Sequence, residues 1–260
     1  MAATDNDAAF DYIVVGGGCN GASTALALIR EWPTARVIWY EGTHTTTASK
    51  DINKIIRTAY IDDDYIEFAE EAQKIWRTED PYRQFYHEPG WLQLIGDNVY
   101  RKYIKKQKNQ QISVEEMKSL VGCSQGPVLE EGEELWLNDT AGWADAARAV
   151  EAVGKLAASL GVVREAKDIT RVITEGGLCQ GVEVDGSLVR AKTTILATAA
   201  WTPRLLEHSH IEFPENFFTV SGVGVAVLSL TDDEFEQFKH MPTLALKNGM
   251  TKARFCRGIC

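Results

Sequence analysis

The stretch that most constrains this chain runs from Phe10 to Glu41. An apolar run, Phe10 to Val15, leads into Gly16-Gly17-Gly18-Cys19-Asn20-Gly21. A helical stretch, Ala22 to Trp32, follows, and then a second apolar run, Val37 to Tyr40, that ends on Glu41. Strand, glycine turn, helix, strand and acid in that order form the fingerprint of a dinucleotide-binding α/β unit. Each part has a physical task. Gly16 permits the tight exit from the strand, Gly18 lets a pyrophosphate approach the backbone, and Gly21 lets the helix pack closely on the sheet. The helix N-terminus offers unpaired N–H groups and a positive dipole end. Glu41, twenty residues beyond Gly21, is placed to accept hydrogen bonds from the adenosine ribose.

Charge and composition narrow the partners. The formal net charge of −10 excludes a nucleic acid or an anionic membrane surface, because phosphate-rich partners need a positive field. One bound dinucleotide is held locally and is not excluded. No run reaches the roughly 18 apolar residues of a membrane span. Met1 to Asp7 is polar and lacks a signal-peptide pattern. The five cysteines, Cys19, Cys123, Cys179, Cys256 and Cys260, are scattered and show no zinc-ligand spacing, so a reduced, cytoplasmic setting is expected. Cys19 is expected to be a buried thiol packing near the helix start rather than a redox group. With 260 residues, 45% of them hydrophobic, the chain has room for two modest domains.

Further along, Asp62-Asp63-Asp64 caps a helix over Tyr65 to Arg77, with Ile66, Ala69, Ala72, Ile75 and Trp76 as its apolar face. Trp91 to Ile95 reads as a strand, Tyr100 to Gln111 as a basic helical piece with a solvated lysine face, and 122–134 as surface loop. Trp143 to Leu160 is a strongly amphipathic helix stopped by Gly161. Val162 to Arg164 is a short strand. Arg171 to Thr174 and Gly181 to Val184 form a hairpin around Gly176-Gly177, and Thr194 to Trp201 is a buried strand that leads into a short helix, Thr202 to Glu207. Phe217 to Val220 and Gly224 to Leu230 alternate as strands of a second sheet, and Thr231 caps a helix to about His240. The dinucleotide module is therefore split, residues 10–80 with 140–207, and 81–139 with 208–260 form a second layer beside it.

The glycine fingerprint alone does not separate NAD from FAD. Several longer motifs do. Ser49-Lys50-Asp51-Ile52-Asn53-Lys54-Ile55-Ile56-Arg57 resembles the loop and helix after the second strand of fungal fructosyl amino acid oxidases (amadoriases) and of the related sarcosine, pipecolate and saccharopine oxidases of the D-amino-acid-oxidase superfamily. Phe85 to Leu92 is similar to their first substrate-domain strand. Ala141-Gly142-Trp143-Ala144 is similar to the start of their later flavin-domain helix, and Ile195 to Leu205 to their second flavin-contact segment. The implied fold is α/β, a glutathione-reductase-type FAD-binding Rossmann domain with an inserted, mainly β substrate domain that is incomplete.

The same resemblance implies a FAD-dependent amine oxidoreductase of fungal secondary metabolism. It would oxidise a secondary amine or N-substituted amino acid to an imine, with O2 as acceptor and H2O2 as product. It implies Lys54 as a cation beside the isoalloxazine and Arg57, one helical turn on, as a bidentate partner for a substrate carboxylate. Ser49, Lys50, Asp51 and Asn53 would brace or contact the flavin, and Val163, Ala199 and Trp201 would touch the cofactor from the later segments. The resemblance ends near residue 250. The family's O2-activating lysine and flavin-linked cysteine have no match in Lys247, Lys252, Cys256 or Cys260, and no peroxisomal signal closes the chain. A C-terminally shortened member is implied, with open strand edges near Val220 to Leu228 that favour self-association. A catalytically inert flavoprotein-like remnant or binding module is the alternative. A NAD(P)-dependent dehydrogenase is disfavoured by the match over Asn53 to Arg57.

Overall fold

The computed structural model describes residues 9–43, 47–96, 101, 104, 109–222, 224–246 and 251–253, with 246 and 251–253 described as backbone only. Met1 to Asp7, Thr46, the lysines of the basic piece (Lys102, Lys105, Lys106, Lys108), Lys247, Cys256 and Cys260 lie outside the described residues, as does the side chain of Lys252. In order, the chain forms β1 (Phe10–Val15), α1 (Cys19–Glu31), β2 (Val37–Glu41), β3 (Lys54–Ile56), α2 (Asp63–Thr78), β4 (Tyr86–His87), β5 (Trp91–Ile95) and β6 (Gln110–Ile112). Then come α3 (Val114–Val121), β7 (Glu134–Asn138), β8 (Gly142–Ala144), α4 (Ala146–Ser159), β9 (Val163–Ala166), β10 (Arg171–Glu175), β11 (Leu178–Val184) and β12 (Ser187–Leu196). The chain continues with α5 (Thr202–His208), α6 (Asp232–Phe238), β13 (Thr243–Leu246) and β14 (Thr251–Ala253).

Residues 1–52 and 146–224 make one compact unit, and 53–145 with 225–260 make another. The first unit is built on a six-stranded sheet in the order β10-β11-β12-β1-β2-β9. β12, β1, β2 and β9 are mutually parallel, and β10-β11 is an antiparallel hairpin on β12. Parallel strands need cover on both faces, which is why residues 13–15 of β1 and 37–40 of β2 are unbroken apolar runs rather than alternating. On one face Ile13, Val15, Ile38 and Tyr40 pack with Val182, Val184 and Ala191 of the hairpin and β12. On the other, α1 and α4 lie together, and the indole of Trp39 is wholly buried. The chain leaves β1 toward β2 on one side, while β12 lies on the other. The carboxyl end of β1 is therefore a topological switch point, where α/β sheets open a ligand crevice.

The second unit has a five-stranded sheet, β14-β13-β5-β7-β6, and a small sheet, β3-β8-β4. Leu92, Ile112, Met117, Val121, Leu135, Met241 and Leu244 form its main core. Gly142 is needed where β8 meets β4, since a Cβ there would stand 1.9 Å from the carbonyl oxygen of His87. The α2 helix starts at Asp62, whose carboxylate accepts from the N–H groups of Asp64 and Tyr65. Its anchor is not the apolar face expected from periodicity. Ile66, Ala69, Ile75 and Trp76 are half-buried and Ala72 is exposed, whereas Gln73 is buried and donates to the carbonyl of Thr140 at 2.6 Å.

Several sequence expectations are corrected. Residues 53–80 pack in the second unit, not with the dinucleotide module. Lys54 does not begin a helix: Lys54–Ile56 is a strand, paired antiparallel to Gly142–Ala144, and the β-branched Ile55-Ile56 pair suits it. Trp143 and Ala144 belong to that partner strand, so the following helix begins at Ala146. The strand expected at Thr194 begins earlier, at Ser187, and ends at Leu196. Gln110 and Gln111, assigned to the basic helical piece, lie in the strand Gln110–Ile112. Phe217 to Val220 and Gly224 to Leu230 form no strand among the described residues, and Phe217, Val220, Val225, Val227 and Leu228 are exposed. Alternating apolar residues make a strand only where an edge accepts their N–H and C=O groups.

Asp11 fastens the start of β1 to the entry of β2. Its carboxylate accepts the N–H of Arg36 at 2.7 Å and lies 3.4 Å from the Arg36 guanidinium and 3.3 Å from Lys192 Nζ. The backbone hydrogen bond, then the Arg36 side chain, hold its pKa at about 2. A folded pKa below the unfolded value stabilises the fold at higher pH, and that contribution is lost as pH falls through the folded value. The urea-midpoint gap between wild type and Asp11→Asn is therefore expected to narrow as pH falls from about 5 toward about 3. A gap independent of pH would show that Asp11 carries no such linkage.

Candidate functional site

The glycine turn is held by contacts that admit no side chain at two of its positions. Gly16 has φ +128°, and a Cβ there would stand 2.2 Å from the carbonyl oxygen of Ala197, at the exit of β12. A Cβ on Gly21 would stand 1.8 Å from the carbonyl oxygen of Gly16. That same carbonyl accepts the indole N–H of Trp39 at 2.8 Å. Gly18 differs: its nearest neighbour is Ser49 Oγ, 3.2 Å from a built Cβ. Gly18 caps α1 without a side-chain hydrogen bond, and the first turn carries no acid. The positive end of the helix is therefore uncompensated from within its own first turn. Ser49 Oγ accepts the N–H of Cys19 at 3.0 Å. Cys19 itself is exposed, not the buried thiol expected, and burial in the helix begins only at Gly21.

Glu41 ends β2 beside this turn, its Cβ 2.7 Å from where a Gly17 Cβ would be. Its Oε1 accepts from Nε of Arg164 on β9 at 2.5 Å. The terminal nitrogens of Arg164 reach Glu151 on α4 at 3.3 and 2.6 Å. The guanidinium lies 5.1 Å from the Trp39 ring centroid. The hydrogen bonds to Glu151 and then Glu41 push the Arg164 pKa up, and Arg164 in turn holds Glu151 below the usual carboxylate range. One strand-end further on, Asp168 accepts from the backbone N–H and hydroxyl of Thr43, at 2.8 and 2.5 Å.

The first unit thus brings Gly16, Gly18, Gly21, Glu41 and Ser49 to one rim. Lys50 ends the 3-10 turn Ala48–Lys50 and is exposed. Asp51 braces the turn, accepting the N–H of Ile52 at 2.9 Å and, through its carbonyl, that of Ala147 at 3.2 Å. Val163 is placed at the opposite end of its strand. It pairs with Ile38, and the residue level with Glu41 is Ala166. Ala199 and Trp201 lie in a 3-10 turn just past β12, with Ala199 at φ +45° and Trp201 exposed. In the second unit, Asn53 precedes β3 and Lys54 opens it. Arg57 lies beyond the strand, so no helical turn sets the two cations on one side. The Arg57 guanidinium stands 4.2 Å from the ring centroid of Tyr60 and 4.9 Å from that of Trp91, and donates to the carbonyl of Ala59. His87 and Trp143 stack at 4.1 Å across β4 and β8, and burial pushes the His87 pKa down.

Comparison with known proteins agrees with this arrangement. The family model described as FAD dependent oxidoreductase (DAO) matches residues 11–251. The chain belongs to the FAD dependent oxidoreductase family. Among curated relatives it is 27% identical to L-saccharopine oxidase of Schizosaccharomyces pombe, over 89% of this chain and 59% of that protein. It is also 27% identical to the peroxisomal sarcosine oxidase of Homo sapiens, over 79% of this chain and 54% of that protein. In fold it is similar to an Amadoriase I mutant from Aspergillus fumigatus, with TM-score 0.72, 22% identity, and 90% of this chain against 57% of that one. It is likewise similar to fructosyl peptide oxidase from E. terrenum, with TM-score 0.71, 22% identity, and 94% against 60%. The chain thus spans between half and three fifths of the length of these relatives.

Four contributors to this member of the family escaped the sequence reading: Trp39, Gly154, Arg164 and the Thr43–Asp168 pair. Gly154 was detectable, because a glycine inside a helical pattern marks a close approach. A Cβ there would stand 2.8 Å from the Trp39 ring. Arg164 carried no signal in the sequence beyond its place in a short strand. The two glycines of the fingerprint should separate in stability measurements. Gly21→Ala overpacks the Gly16 carbonyl and is expected to cost about 1–3 kcal/mol. Gly18→Ala meets only a hydroxyl that can shift and is expected to be within about 1 kcal/mol of wild type. Equal losses in denaturant titrations would contradict the geometry.

Proposed function

We propose that this chain carries the FAD site and the first part of the substrate domain of an amine oxidoreductase, one that oxidises the C–N bond of a secondary amine or N-substituted amino acid to an imine with O2 as acceptor. The observation that carries it is the family match across 11–251, laid over a glycine turn whose helix end is open. The substrate class is supported by the relatives' names, since saccharopine and sarcosine are both amino acids with a secondary amine. A reduced, cytoplasmic setting belongs to the same proposal, on the free thiols of Cys19, Cys123 and Cys179.

The residues fit the adenosine diphosphate half of FAD. Gly18 leaves the backbone open to a pyrophosphate, the first turn of α1 supplies N–H donors, and Glu41 presents an acceptor for ribose hydroxyls. Thr47 Oγ1, which enters the 3-10 turn of Ser49, is buried without a hydrogen-bond partner among the described residues and is left over for a ligand. FAD held there would supply the two-electron acceptor for amine oxidation, with O2 as the proposed final acceptor. Arg57, its plane fixed between two aromatic rings, is the fork for a substrate carboxylate. Lys54 supplies positive charge to the redox centre. Ser49, Lys50, Asp51 and Asn53 brace the loop that joins the two groups, and Ala199 and Trp201 close the β12 side. Val163 is retained only as a backbone support of β9.

A second reading is favoured by one observation. Phe217, Val220, Val225, Val227 and Leu228 are exposed, which suits a catalytically inert, self-associating flavoprotein-like module. The two readings separate on purified protein. The oxidoreductase reading expects a flavin absorbance band that bleaches with one of sarcosine, pipecolate, saccharopine or a fructosyl amino acid. A flavin band that none of them bleaches supports the inert module.

Two variants test the residues. Gly18→Val sets branched carbon where the pyrophosphate must approach, so flavin content is expected to collapse while circular dichroism stays native. Retained flavin would remove Gly18 from the site. Arg57→Met is expected to weaken binding of the bleaching amino acid by about tenfold or more, read as flavin spectral perturbation. An unchanged dissociation constant would take Arg57 out of substrate binding.

A further inference from the structure

Glu41 is not a free acid at the end of a strand. Its side chain is mostly buried, and one carboxylate oxygen is occupied by Nε of Arg164 at 2.5 Å. Arg164 has its other two nitrogens committed to Glu151. A guanidinium engaged on all three nitrogens has no freedom to rotate, so it holds Glu41 in one rotamer. Its flat face lies on Trp39, and room for that stacking exists because position 154 is glycine: a Cβ there would be 3.2 Å from Arg164 Cζ. Trp39 in turn donates its indole N–H to the carbonyl of Gly16. One buried indole therefore touches both the turn that meets the phosphates and the arginine that holds the ribose acid.

We infer that Arg164 is a positioning residue that fixes Glu41 for a ribose whose 2′-hydroxyl is free, and so sets the selectivity of the site for that nucleoside. The inference rests on the FAD reading of the glycine turn. With Oε1 held by Nε of Arg164, Oε2 of Glu41 is left as a carboxylate acceptor of fixed direction. Such a group binds an O–H donor well. It rejects a nucleotide that lacks the hydroxyl, because a partly buried charged acceptor is then left short of a partner. It also repels a ribose phosphorylated at that position. Glu151, about half exposed on α4, holds the far end of Arg164 and also pairs with Lys155 Nζ at 3.5 Å.

The test uses the full chain freed of flavin and compares ADP with 2′-deoxy-ADP by titration calorimetry. Wild type is expected to prefer ADP by about tenfold or more, as for a hydrogen bond to a charged acceptor. In Arg164→Met the preference is expected to fall to about threefold or less, with ADP itself still bound through the phosphate turn. Glu151→Gln, a change at a half-exposed position whose folding is checked by circular dichroism, is expected to shrink the ratio in the same direction and stands in if Arg164→Met does not fold. A purely structural ion pair would lower the melting temperature and leave the ratio alone. An unchanged ratio in the folded variants overturns the role of Arg164. Failure of wild type to bind either ADP or FAD overturns the cofactor reading itself, and this inference with it.

Discussion

The contact on which the first unit depends is the one between the Gly16 carbonyl and its two neighbours, the indole N–H of Trp39 and the bare Cα of Gly21. A carbonyl at the end of a buried parallel strand must find a donor, and here the donor comes from the next strand's side chain. The helix can then cross so closely that any side chain at position 21 would collide with it. This turn sets where α1 begins, and the start of α1 sets where an anion can be met. The rest of the module is arranged around that point. β12 closes on Gly16 from the other side, and Ser49 satisfies the first N–H of the helix without blocking Gly18.

Electrostatics at the rim are local and do not follow the net charge. A chain of charge −10 would be a poor host for a dinucleotide if binding relied on its overall field. Backbone N–H groups and a helix dipole act over a few ångströms and need no excess of cations. Arg164 beside the rim is used inwardly, pairing with Glu41 and Glu151. In the second unit Arg57 is handled differently. It lies against aromatic faces with one donor on a carbonyl, with no carboxylate paired to it among the described residues.

Legibility varied with the range of the interaction. Asp62 and Thr231 were readable as helix caps because a cap is a contact over two or three residues. The hairpin at Gly176-Gly177 was readable for the same reason. The helix expected at Lys54 was not a local mistake of propensity. Ile55-Ile56 tolerates either state, and the choice was made by β8, about ninety residues away in the chain. The apolar run from Phe217 to Leu230 fails in the opposite sense, carrying strand periodicity but meeting no edge. The anchor of α2 is a buried glutamine on a backbone carbonyl, which hydrophobic periodicity cannot reveal.

The sequence by itself determined the parts that are written in contiguous residues: the order of strand, glycine turn, helix and acid, the need for bare Cα atoms at Gly16 and Gly21, and the family to which these motifs point. Their physics is short-ranged, so one segment contains both sides of each contact. Tertiary structure decided which unit residues 53–80 join, that Val163 lies level with Ile38 rather than with Glu41, and that Glu41 is held by Arg164. Each of these depends on strand register or on side chains more than one hundred residues apart, as Glu41 and Arg164 are. A strand's register moves every side chain along its length, and no single segment states what its neighbour's register will be.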